Sequence, residues 1–182
     1  SLHAGIFLYC VHILSAVLTA LVLRPKNIPA PAKPDDFPQT LRAAPLFVQA
    51  VLSAGCASLH VSAFVLVFSV ILSLARQTGL FSLVLSVSAP LCSAFGLSDG
   101  TGVLIGLLEL TQGLAHLTPH AGTLAARLTT VSFLCAFGGV SVLFQTAAVT
   151  DGLAFRACLR GKLVHALLAA LVCATALHVV PT

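Results

Sequence analysis

From Ala4 to Leu23 the chain runs for twenty residues without a formal charge. An α-helix needs about 20 apolar residues to cross the hydrocarbon core of a bilayer. Further apolar runs approaching that length follow, so a fold that must present a polar surface to water on all sides does not fit. Composition agrees. Of 182 residues, 58% are hydrophobic and 8% charged, where a soluble domain carries about a quarter charged. The expected fold class is all-α: a polytopic transmembrane helical protein with about six membrane segments, some broken or re-entrant, and the lipid bilayer as its first partner.

A hydrophilic stretch over 24–44 follows the first span, with Pro25, Pro29, Pro31, Pro34 and Pro38. Prolines this dense deny helix and favour an extended connector. The run from Ala43 to Ala75 would make roughly 50 Å of helix, more than a ~30 Å core requires. The expectation is therefore a membrane-entering segment near Pro45–Ala54, a break around Gly55, and a span through Ala75. Leu80–Phe95 is apolar but interrupted by Pro90, and reads as a short span or as half of a re-entrant hairpin. Gly102–Leu117 is the next segment, "TPHAG" a turn, Leu128–Val149 another segment, and Leu163–Val180 the last span.

Counting six crossings, the linker 24–44 and the patch 150–162 fall on one side. They hold Arg24, Lys26, Lys33, Arg42, Arg156, Arg160 and Lys162, leaving Arg76 and Arg127 on the other. The excess of basic residues expected on the cytoplasmic side puts both stretches in the cytoplasm and both termini outside. Basic residues spread in this way give no nucleic-acid footprint. The six cysteines are dispersed without C-x-x-C spacing and read as small hydrophobes, not as a metal or disulfide framework. No nucleophile elbow, H-E-x-x-H or phosphate loop is present, so neither an enzyme nor a cofactor is expected. The chain starts at Ser1 and contains no methionine, which suggests a processed or excised chain, the C-terminal part of something longer.

Polar interruptions inside the apolar runs are the candidate site. "GLLELTQG", residues 106 to 113, holds Glu109, the only glutamate of the chain. A carboxylate at the bilayer centre costs about 2.5 kcal/mol or more, so it should face protein or a water-filled cavity. It reads as a substrate, ion or proton site, or else as a structural lock between helices, with Ser141 or Gln145 as hydrogen-bond partner. Gly106 and Gly113 allow close backbone approach or local unwinding, and Thr111 and Gln112 offer donors to freed backbone or to a ligand. A second interruption, Gly138 and Gly139 with Ser141 and Gln145, has the same ingredients. Paired broken segments are a sequence pointer to a transporter site, because half-helix N-termini attract anions. The two interruptions should therefore approach each other, away from lipid. His12, His60 and His165 read as packing residues, and Pro119 keeps His116 and His120 off a shared helical face. Arg160, Lys162 and His165 read as interface anchors.

"GLLELTQG", "FGGVSVLFQ" and "FRACLRGKLVHALLAALV", in this order and spacing, resemble the sporulation integral membrane protein YlbJ family, within the wider group bearing the nucleoside-recognition Gate domain. "CVHILSAVLTALVLR" ahead of a polar linker, and "VLVFSVILSLA" after it, are similar to the same family. The likeness covers nearly the whole chain and corresponds to the C-terminal half of a typical member. It implies a first transmembrane helix over 1–23, a Pro-rich cytoplasmic linker over 24–44 and a Gate-like transmembrane domain over 45–182. It further implies a transporter or permease for a small anionic metabolite, dipicolinic acid moving through the mother-cell-derived forespore membrane during sporulation. The alternatives are a nucleoside-type transporter and a non-transporting membrane scaffold for spore assembly. Carried over by motif, Glu109, Thr111, Gln112, Gly138, Gly139, Ser141 and Gln145 become substrate-binding candidates, served by a coupling ion (proton or sodium). With half of a member missing, the chain is expected to form a homo-oligomer or to pair with an N-terminal half.

Overall fold

The computed structural model describes residues 2–24, 43–94, 96, 100–117, 122–149 and 155–179. Most of the proline-rich linker and part of the patch 150–162 lie outside them. The described residues form eight helices and no strand: α1 (Leu2–Val22), α2 (Ala43–Gln77), α3 (Leu80–Ala94), α4 (Thr101–Leu108), α5 (Leu110–His116), α6 (Leu124–Phe137), α7 (Gly139–Val149) and α8 (Phe155–Val179). Four segments are long and apolar enough to cross a bilayer: Leu2–Val22, Pro45–Gln77, Leu124–Ala148 and Phe155–Val179. These lengths and compositions are compatible with an integral membrane protein.

The expected break at Gly55 is absent. α2 is one helix of 35 residues, roughly 52 Å at 1.5 Å per residue. Pro45 sits in its first turn, where the missing N–H has no helical acceptor to lose. A glycine interior to a helix costs about 1 kcal/mol. Breaking the helix among lipid tails would instead leave several backbone groups unpaired at several kcal/mol each, so the continuous helix wins. α2 stops at Thr78–Gly79, where the Thr78 hydroxyl donates to the Leu74 carbonyl and Gly79 takes a left-handed φ of 76°.

α3 keeps Pro90 inside its 15 residues and reaches only about 22 Å, short of a ~30 Å core. Gly102–Leu117, expected as one segment of a six-span count, is a hairpin. α4 runs in, the chain reverses at Glu109, and α5 runs back. The evidence is in the glycines. A Cβ on Gly113 would collide with Gly106 Cα and N, and one on Gly102 would lie 3.1 Å from Leu117 N. At the hairpin's open end, Arg76 of α2 lies 3.4 Å from His116 and stacks over Phe81. The end of α5 and the end of α2 therefore share a side. Removing two crossings from the expected six leaves the sidedness of 24–44 and 150–162 unchanged.

The core is built on small residues. Ala166, Ala169 and Cys173 are fully buried along one stripe of α8, which packs chiefly against α6 and α1. Side chains of this size let helix backbones approach closely, the usual device where lipid removes the hydrophobic drive between helices. Leu59, Leu66, Val70 and Leu74 of α2 point outward, as a lipid-facing surface requires.

Candidate functional site

Glu109 is the hinge of the hairpin and a cap for half of it. Its backbone is extended (φ −139°, ψ 115°), which closes α4 and opens α5 within a single residue. The side chain is 1% exposed. One oxygen, Oε1, accepts from Thr111 N–H at 3.2 Å. The other, Oε2, accepts from the Thr111 hydroxyl at 2.7 Å and from Gln112 N–H at 2.8 Å. A carboxylate at a helix N-terminus satisfies orphan amides and meets the positive end of the helix dipole. The expected partner was Ser141 or Gln145, and neither hydrogen-bonds it. The donors of its own helix are two and three residues away, and they take the carboxylate first.

Gln112 reaches out of the hairpin and donates to Ser69 of α2. Ser69 is seven residues short of Arg76, so this contact lies about 10 Å along α2 from the hairpin's open end. The hairpin tip is therefore inside the protein, tied to α2. Thr111, by contrast, is exposed apart from its bonds to Glu109.

The second interruption is a break in the segment α6–α7. α6 starts on a capping bond from Ala126 N–H to the Thr123 hydroxyl and ends at Gly138, whose N–H donates to Leu134 O. Gly138 and Gly139 have φ values of 81° and 78°, a pair of left-handed residues that only glycine adopts without strain. The position where Gly139 would carry a Cβ lies 2.9 Å from Gly106 O and 3.3 Å from Leu108 O. The break thus rests against the hairpin tip, and the two interruptions do meet. Ser141 is 1% exposed and its hydroxyl has no hydrogen-bond partner among the described residues. Gln145 is half-buried one turn further on. Sequence-candidate residues therefore fall into two groups: Glu109, Thr111 and Gln112 on the hairpin, and Gly138, Gly139, Ser141 and Gln145 on the break.

Several residues belong here that the sequence reading placed elsewhere. The Lys162 ammonium of α8 lies 3.0 Å from the Cβ position of Gly138. It is aimed at the carbonyl end of α6, where a cation is favoured, and it makes no ion pair among the described residues. Expected as an interface anchor, it is found with its ammonium beside the α6–α7 break. Ser132 of α6 is buried and its hydroxyl is also without a partner. His12 and His165 face each other across α1 and α8, ring centroids 4.7 Å apart. The available signal was spacing: His12 and Ser15 on α1, and Lys162 and His165 on α8, are each three apart and so share a helix face.

The chain matches no family model, no curated protein and no solved structure. What fold and site define is a class: described residues that are all-helical, with four segments able to cross a bilayer, a helical hairpin packed among them, and a broken helix set against the hairpin tip.

Proposed function

We propose that the chain is a membrane transporter or permease for a small anionic metabolite. The observation that carries this reading is the α6–α7 break. There an ammonium without an ion pair and a buried hydroxyl without a partner, both among the described residues, flank the N-terminus of α7, itself seated against a hairpin tip. Half-helix termini facing a protein interior are how transporters bind charged groups away from lipid, and Lys162 sets the preference for an anion. On the resemblance to the YlbJ family, the anion we propose is dipicolinic acid and the membrane a bacterial cell membrane, the mother-cell-derived forespore membrane. A second copy, or an N-terminal half, would complete the enclosure of the pathway. No catalytic function is proposed.

Uptake of radiolabelled dipicolinate into proteoliposomes tests the reading. Saturable uptake that Lys162→Gln weakens is the expected result, and uptake no faster than in empty liposomes would sink it. One observation favours a non-transporting scaffold: every hydrogen bond of Glu109 is spent inside its own hairpin. A scaffold would show the same fold with no saturable flux. For topology, the cytoplasmic assignment of 24–44 and 150–162 rests on the basic-residue bias. A cysteine at position 33 or 156 labelled from outside intact cells by an impermeant reagent would overturn it.

A further inference from the structure

We infer that the cleft between α1, α6 and α8 binds a lipid-dissolved ring compound bearing carbonyl acceptors, the chemistry of a quinone head; this stands whether or not the chain transports an anion. The cleft is half open, with a volume of about 270 Å³. Its walls are Leu8 to His12 of α1 and Val131 to Cys135 of α6, and the buried Ser132 and Ala169 form its floor. Depth in the bilayer fixes where a ligand comes from. His12 is ten residues from each end of the span Leu2–Val22, and Ser132 and Ala169 lie eight and ten residues from the nearer ends of theirs. At 1.5 Å per residue that is about 12 to 15 Å from the span ends, so the opening meets acyl chains and not water.

The polar groups decide what the ligand carries. His165 is bonded to Ser15 at 3.1 Å. The His12 ring beside it, 4.7 Å away between centroids, makes no hydrogen bond among the described residues, and neither does the hydroxyl of Ser132 or of Tyr9 at the rim. An imidazole keeps at least one N–H, and both hydroxyls are donors. Unpaired donors among acyl chains are expensive, because no water is there to take them. Carbonyl oxygens accept from such donors, and a ring gives Tyr9 a face to pack on. Shape excludes the other occupants. Leu8 to His12 and Val131 to Cys135 each cover about 6 Å of helix, little more than one turn. A docked helix contacts positions i, i+4 and i+7, over about 10 Å. An acyl chain runs along the helices for longer still and has no acceptor at this depth. The ligand is bound and released unchanged.

The chain has one tyrosine and no tryptophan, so its intrinsic fluorescence comes from Tyr9, 68% exposed at the rim of the cleft. The test titrates duroquinone, whose fully methylated ring resists thiol addition, into the whole chain in phosphatidylcholine nanodiscs. Wild type should show saturable quenching with an unchanged lifetime, above the linear collisional quenching of any tyrosine in a bilayer. His12→Phe keeps the aromatic bulk and removes the donor, and Ser132→Ala removes the hydroxyl. Each should raise the half-saturating concentration about tenfold. Durene, the same methylated ring without the carbonyl oxygens, should compete about tenfold less well. Quenching that is linear in wild type, or saturable but unchanged in both folded variants, overturns the proposal. Durene competing as well as duroquinone also overturns it, since the cleft is then an apolar pit without polar selectivity. Quenching that fades as the protein-to-lipid ratio rises gives the cleft to a second copy and overturns it too. Circular dichroism checks the variants, and if His12→Phe does not fold, Ser132→Ala carries the comparison.

Discussion

At the hairpin tip the two oxygens of Glu109 take three hydrogen bonds from donors two and three residues along the chain. At the α6–α7 break, in contact with that tip, the Ser141 hydroxyl takes and gives none, and the Lys162 ammonium has no counter-charge among the described residues. Both regions are made of glycines beside polar side chains. The tip is closed on itself, and the break keeps polar capacity unspent. Buried polar groups without partners are expensive, so a fold that retains them at one of two neighbouring sites points to that one as the place where a ligand completes the bonding. On the transport reading proposed above, the glutamate that dominates the sequence serves chiefly to form the fold, and the anion is met at the break and α8.

The most severe way to break this contrast is at the glycine contact that makes the tip. Gly113→Ala sets a methyl on the backbone of Gly106, where nothing flexible can yield. A loss of about 3 kcal/mol or more is expected, seen as a fall in the thermal unfolding midpoint or loss of monodisperse protein in detergent. Gly55→Ala is the control, because a Cβ there meets nothing within 4 Å and should leave stability unchanged or slightly raised. Equal effects at the two glycines would mean that α4 and α5 do not pack as a hairpin.

Next in size is the cap. Glu109→Leu orphans two part-buried amides and the Thr111 hydroxyl, and should lower stability by about 2 kcal/mol. Glu109→Gln keeps one acceptor oxygen and should lose less than about 1 kcal/mol. If the tip is structural, the glutamine variant transports at the wild-type rate with the wild-type pH profile. A flux abolished in a folded Glu109→Gln protein would reverse the comparison and return the chemistry to the tip. Lys162→Gln, at the break, should behave in the opposite sense: a stability change within about 0.5 kcal/mol and a drop in anion uptake of about tenfold.

The contrast also separates what the sequence made legible from what it did not. The span Ala4–Leu23 and the glycine pairs could be read because composition and residue type carry them: apolar length, the close approach of Gly106 and Gly113, and the positive φ that glycine permits at Gly138–Gly139. Which way the chain turns at Glu109 could not. A carboxylate in an apolar run signals burial equally well whether its partner is a neighbouring helix or its own next turn, and the local donors Thr111 and Gln112 decided it. Gly55 misled for a related reason. Its helix cost is small beside that of unpaired backbone in lipid, so the glycine did not mark a break. Lys162 and His165 were legible only in part. Their spacing puts them on one face of α8, but their partners Gly138 and Ser15 are 24 and 150 residues away, and no local pattern reports such distances.

The smallest effect is the sharpest test, because it predicts opposite signs for two hydroxyls of similar size. Thr111→Val removes a donor to Glu109 Oε2 and leaves a buried carboxylate oxygen with one bond fewer. A loss of about 1 kcal/mol is expected. Ser141→Ala removes a buried hydroxyl that bonds to nothing among the described residues, so no described partner is orphaned and a desolvation cost disappears. It should raise stability by about 0.5 kcal/mol. The gain should come with weaker anion uptake, since the hydroxyl's place at the start of α7 is then lost to the ligand. Paired thermal unfolding and uptake measurements on the two variants check both halves. If Ser141→Ala destabilises the protein as Thr111→Val does, its hydroxyl already has a partner in the folded chain, and the break is as closed as the tip. If it stabilises without altering uptake, the break is open but is not where the anion binds.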